Sequence, residues 1–229
     1  MTSFYQQLLS ETEQERRVLL DLPALQLGSR GQISLASYVA FLTQAYHHVK
    51  HTVPLLMACG ARLPERLEWL REAVGEYIEE EMGHQEWILG DLGACGADAE
   101  AVRHGTPHPS TELMVAYAYD TIQRHNPVGF FGMVLVLEGT SIHLASSAAQ
   151  AIGRSLGLPN EAFHYLSSHG ELDQSHMEFY RGLMDRLGSE QDRWAVIHCA
   201  KMFYRLYGDV FRALPLEPAP SQIHLAHNH

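Results

Sequence analysis

The chain has 229 residues, 46% hydrophobic and 19% charged, a globular mix long enough for one sizeable helical domain. Its net charge is −11 with histidine neutral, and Lys and Arg form no cluster, which argues against nucleic acid and anionic membranes as partners. Three widely spaced cysteines (Cys59, Cys95, Cys199) exclude a disulfide framework and a cysteine zinc site. No stretch reaches the roughly 18 to 20 apolar residues that a membrane span needs. Residues 1–14 lack the apolar core of a signal peptide, so a cytoplasmic protein with no membrane span is expected.

In chain order, apolar spacing predicts long helices separated by short breakers, with no convincing strand and no internal repeat. A first helix is expected over 2–20. A loop follows over 22–31, punctuated by Pro23, Gly28 and Gly31. The second helix covers 34–58, with Tyr38, Phe41, Leu42, Ala45, Val49 and Val53 at helical spacing and a kink at Pro54. The third starts at Pro64 and runs to 92, stopped by Gly93 and Gly96. A short helix or turn over 98–104 precedes a fourth helix from Ser110 to 125. Asn126-Pro127 opens a fifth helix to 156, and Pro159-Asn160 a sixth to 188. Ser189 caps a seventh that ends before Pro215. The expectation is an all-α seven-helix bundle, one domain over 1–214 with a flexible tail over 215–229.

Histidine is the unusual residue, with 15 copies, and several share a helix face with an acid. On the sixth helix His169, Asp173 and His176 stand four and three apart, which sets two imidazoles and a carboxylate in one stripe. Two histidines and a carboxylate are the ligands of non-haem Fe(II) sites open to oxygen. The competing reading is a solvated polar face. On the third helix Glu81 and His84 form a Glu-x-x-His unit, as in carboxylate-bridged di-iron bundles, and Glu80 stands in the same relation one residue earlier. Gly83 weakens the helix there and marks a close packing point. Glu138 follows six apolar or small residues, and a buried carboxylate in such a run needs an arginine, a proton or a metal. Three carboxylates (Glu81, Glu138, Asp173) nearly cancel the charge of two Fe(II), and neutral imidazoles fill the remaining positions.

On these residues the chain resembles the haem-oxygenase-like superfamily, which includes thiaminase II (TenA-type) proteins, the pyrroloquinoline-quinone synthase and haem-oxygenase-like di-iron oxidases. Glu80-Glu81-Met-Gly-His84-Gln-Glu-Trp87, the Leu-Glu138-Gly segment and the His169-x-x-x-Asp173-x-x-His176 pattern are similar to the oxidases' ligand segments, and Tyr46 to His51 to their second helix. The resemblance covers roughly residues 5 to 210. It implies a homodimer and an iron cofactor, two Fe(II) or alternatively manganese. It also implies reductive activation of O2 to oxidise a small molecule such as a fatty acid or amino acid.

Tyr46, His47, His51, Phe131 and Tyr180 are candidates for the substrate pocket, set against their reading as plain core or surface residues. Two other functions stay open. One is a cofactorless or thiaminase-like small-molecule enzyme or binder, although no cysteine lies between Cys95 and Cys199 to serve as nucleophile. The other is a non-enzymatic ferritin-like metal-binding bundle.

Overall fold

The computed structural model describes residues 3–216, apart from the side chains of residue 143 and residues 169–175. The tail from residue 217 lies outside the described residues. Every regular element among the described residues is helical, in agreement with the expected class. The helices are α1 (Phe4–Glu11), α2 (Glu13–Leu20), α3 (Pro23–Ser29), α4 (Leu35–Val49), α5 (Thr52–Arg62) and α6 (Glu68–Glu81). They continue as α7 (His84–Ala94), α8 (Ala99–Arg103), α9 (Pro109–Arg124), α10 (Phe131–Leu156), α11 (His164–Arg186) and α12 (Glu190–Arg212). No single helix among the described residues is long and apolar enough to cross a membrane.

The described helices outnumber the seven expected because three long helices are broken and two short ones appear. The first breaks at Thr12, whose buried hydroxyl donates to the Leu8 carbonyl at 2.8 Å and competes with the helix. The second breaks at Lys50–His51. Pro54 has no N–H and its ring collides with the carbonyl four residues back, so the chain bends there and Pro54 sits in the first turn of α5. The third breaks at Met82–Gly83. Residues 22–31 are not the expected loop. Pro23 occupies the first turn of α3, where a fixed φ favours a helix, and Ala24 and Leu25 pack against the core. The fourth helix is capped two residues earlier than expected, by His108, whose side chain accepts from the Ser110 N–H.

Two apolar clusters hold the bundle. One joins α5, α6, α9 and α12 around the first half of α10 and the second half of α11. The other joins α4 and α7 to the second half of α10 and the start of α11. Phe41 packs against both. Each fully buried Leu or Phe contributes about 1.5–3 kcal/mol, so the two clusters dominate stability. The ends are tied by charge. Asp192, 1% exposed in the first turn of α12, accepts from Arg66 at 2.6 and 3.1 Å and from the Asn126 amide at 2.9 Å. Burial alone would raise its pKa, but the guanidinium and the amide outweigh it and hold the carboxyl below the usual range. Asp91, fully buried on α7, accepts the first N–H groups of α11, His164 at 3.0 Å and Tyr165 at 2.9 Å.

α10 is central because it packs on both α11 and α12. Its approach to α12 depends on Gly132, where a Cβ would lie 2.5 Å from Ala200 N and 2.7 Å from Val196 O. Gly132→Ala should therefore cost about 1–3 kcal/mol or more by overpacking. Gly75→Ala on α6, with nothing within 4 Å, should be neutral or stabilising by up to about 1 kcal/mol. Urea unfolding of the two variants checks the contrast.

Candidate metal centre

The break in the third helix builds one side of the centre. α6 ends at Glu81, Met82 turns extended with its side chain 62% exposed, and Gly83 takes φ +95° before α7 restarts at His84. Only glycine adopts that φ without strain. The residue thus serves the turn, not the close packing expected of it, for a Cβ at Gly83 would meet nothing within 4 Å. Glu81 and His84 meet across this turn, with Glu81 Oε2 3.1 Å from His84 Nδ1, and both are buried. They are a pair, as their spacing suggests, but not on one continuous helix.

Glu138 comes from the middle of α10, directly after an apolar turn, with its side chain 12% exposed. His176 comes from α11. Its Nδ1 is 3.8 Å from Glu138 Oε1, and its Nε2 is 2.9 Å from Glu80 Oε2. Ligand atoms of Glu81, Glu138 and His176 all lie within 4.8 Å of one another. Donors opposite each other across a first-row cation are about 4.2 Å apart, twice a bond of about 2.1 Å, so small side-chain rotations close this set on one ion. Glu80 reaches the same imidazole from the half-exposed rim, whereas Glu81 is the glutamate inside the cluster.

His84 stands one step out, linked through Glu81, and its ring stacks on Trp87 at 3.9 Å. α11 is helical through His169 and Asp173, but their side chains lie outside the described residues.

The electrostatics favour a cation. Two largely buried carboxylates and a third at the rim converge on His176. None of the described residues that line the chamber beside them is Lys or Arg. Carboxylates this close in an apolar surrounding repel one another and are poorly solvated. A divalent ion compensates both effects, and the oxygen and imidazole donors suit iron or manganese.

The chamber has a volume of about 80 Å³. His48, Leu55, Tyr77, Phe130, Met133 and Tyr207 are among its walls, with Glu81 and Glu138. It adjoins a second, apolar cavity of about 100 Å³, and the two share Ser141, Tyr165 and Tyr207. The expected pocket residues Tyr46, His47, His51, Phe131 and Tyr180 do not line the chamber. His48, between the expected histidines, faces it instead, because one residue along a helix turns the side chain by about 100°. His51 lies beside Tyr119 of α9, its Nδ1 3.2 Å from the hydroxyl. The Lys50 ammonium lies 5.3 Å from the Tyr46 ring centroid. Phe131 is core, and Tyr180 donates to its carbonyl at 2.9 Å. Tyr77 was legible in principle, since it precedes Glu81 by four residues and so shares its helix face.

A family model described as iron-containing redox enzyme matches residues 39–208. The chain belongs to that iron-containing redox enzyme family. Solved structures agree in fold. A domain of unknown function with a heme oxygenase-like fold from Shewanella denitrificans is 22% identical, with a TM-score of 0.81 over 93% of this chain and 92% of that one. A TenA homolog from Pseudomonas syringae is 12% identical, with a TM-score of 0.76 over 91% of each chain. Heme oxygenase-1 from Synechocystis, solved with heme, is 12% identical, with a TM-score of 0.69 over 92% of this chain and 91% of that one. No curated protein matches the chain. The family assignment and the haem-oxygenase-like fold expected from the motifs therefore hold.

Glu138→Ala and His176→Ala should each lower Fe(II) affinity by at least about 100-fold with circular dichroism unchanged. His198→Ala, at an exposed position stacked on Trp194, should bind iron as the wild type does. Equal Fe(II) binding by all three would refute the ligand assignment.

A second outcome concerns pH. Burial, then Lys50 and His51, push His47 down to about 4. The unfolded chain takes up that proton first, from about pH 6.5. This contribution is therefore complete above pH 6.5 and is lost as pH falls toward 4. His47→Gln should remove about 2 kcal/mol of that acid-side loss, read from denaturant midpoints between pH 7 and 4.

Proposed function

We propose that this chain is a non-haem iron oxygenase or oxidase that uses O2 to oxidise a small, largely apolar organic molecule. The observation that carries the proposal is the convergence of Glu81, Glu138 and His176 at one wall of a buried chamber in an iron-containing redox enzyme family. These three residues would hold one iron. His84, beside Glu81, and His169 and Asp173, on the same helix as His176, would supply the donors for a second. Bound there, ferrous iron supplies the electrons that reduce O2.

The chain's own residues do the rest. Glu81 orients the His84 ring through its Nδ1, and Trp87 packs against that ring's face. Glu80, half exposed, holds His176 and gives protons a route between the centre and solvent. Leu55, Leu56, Phe130, Met133 and Val134 keep the chamber dry, which strengthens every electrostatic interaction inside it. The adjoining apolar cavity extends the space for an aliphatic body beyond the Ser141–Tyr165–Tyr207 boundary. Among the expected substrates an aliphatic compound with one polar end, such as a fatty acid, fits this lining better than a free amino acid, which would bring two charged groups to desolvate and too short an apolar body to fill both cavities.

A cysteine-driven reaction on the same fold is disfavoured. Cys59, Cys95 and Cys199 do not line the chamber, and burial raises all three thiols, Cys59 to about 12.

Anaerobic titration of the metal-free protein with Fe(II), followed by rapid mixing with oxygenated buffer, tests the proposal. Saturable uptake of one to two irons per chain and a transient visible absorption on mixing are expected. Absence of stoichiometric uptake would overturn it.

A further inference from the structure

Three fully buried tyrosines stand near the middle of the bundle, and they are not alike. Tyr38 donates to the Ala162 carbonyl at 2.8 Å and Tyr180 to the Phe131 carbonyl at 2.9 Å. Tyr77 is 1% exposed, yet its hydroxyl has no hydrogen-bond partner among the described residues. Its ring is held edge-on to His176 at 6.0 Å and tilted against Phe179 at 5.5 Å, so packing fixes where the hydroxyl sits. Tyr77 lines the chamber together with Glu81 and Glu138. A buried hydroxyl left without a partner is destabilising, and such groups in native proteins are uncommon and tend to mark function.

We infer that Tyr77 is a substrate-binding residue, whose hydroxyl donates a hydrogen bond to an oxygen acceptor on the molecule that fills the chamber. The acceptor is a hydroxyl, carbonyl or carboxylate oxygen. Burial first, and then the charge of Glu138, raise the phenol's pKa, so it enters this bond as a donor. Tyr77 is one helical turn from Glu81. The bond therefore holds the oxygen-bearing end of the molecule beside the carboxylate and imidazole cluster. The apolar remainder is left to run toward Ser141, Tyr165 and Tyr207, where the second cavity begins. Tyr77 in this way decides which end of an elongated molecule meets the metal centre.

The inference rests on the reading that the chamber admits a substrate, and the test separates the two. The probes are hexan-1-ol and 1-chlorohexane, matched in length, of which only the alcohol carries an oxygen acceptor. Their binding to the full-length wild-type, Tyr77→Phe and Tyr180→Phe proteins is measured by calorimetry. Tyr77→Phe should weaken hexan-1-ol by about 5- to 10-fold and leave 1-chlorohexane unchanged or tighter. It should melt at or above the wild-type temperature, because no protein hydrogen bond is lost, whereas Tyr180→Phe should melt lower. Equal weakening of both probes, no weakening of the alcohol, or a lowered melting temperature for Tyr77→Phe would overturn the role of the hydroxyl while the chamber stands. Failure of both probes to bind the wild type would overturn the chamber and this inference together.

Discussion

Charge compensation at one point governs this molecule. Glu81, Glu138 and His176 arrive from α6, α10 and α11 and meet within 4.8 Å, in a part of the bundle where water has little access. Two carboxylates cannot share such a place at low cost unless positive charge joins them. The apolar clusters on either side supply the packing energy that holds three helices to this arrangement. The capacity proposed for this cluster to hold a cation and the electrostatic cost of gathering its acids therefore have the same source.

The breaks in the helices are the means of reaching that arrangement. An unbroken helix through residues 64–92 would also set His84 beside Glu81, three residues on, but would hold the following segment to the α6 axis. The Met82–Gly83 turn keeps the imidazole against the Glu81 carboxylate and lets α7 start as a separate helix. α7 then offers Asp91 to the first amides of α11, so the helix that carries His84 also sets the start of the helix that carries His176. The break at Lys50–His51 separates a helix that faces the chamber through His48 from one that faces it through Leu55 and Leu56. In each case a local irregularity trades some helix stability for the position of a functional side chain.

The chamber is chemically lopsided. Its acids and His48 stand against walls of Leu, Met, Val and Phe, and a second apolar cavity opens beyond. Such a surface recognises a molecule with one polar end and an apolar remainder. Tyr77 belongs to the polar side by position and to the core by burial, which is how a single hydroxyl comes to orient a ligand there.

The all-α class and the capped start of α12 were readable from the sequence, and Glu81, Glu138 and His176, which the fold brings within 4.8 Å of one another, stood among its candidate residues. They rest on spacing along single helices, and spacing of three, four and seven residues is a local property. The breaks at Thr12 and Lys50–His51 were hidden or misplaced, and the helix at Pro23–Ser29 read as a loop, because those outcomes depend on what the segments pack against. Tyr46, His47 and His51 drew attention as candidates while His48 and Tyr77 took the places at the chamber. Composition shows how many histidines a helix carries, but only its rotation against its neighbours decides which of them faces inward. That rotation is set by contacts between residues far apart in the chain, such as Tyr38 with Phe163 and His48 with Tyr207, which no local pattern encodes.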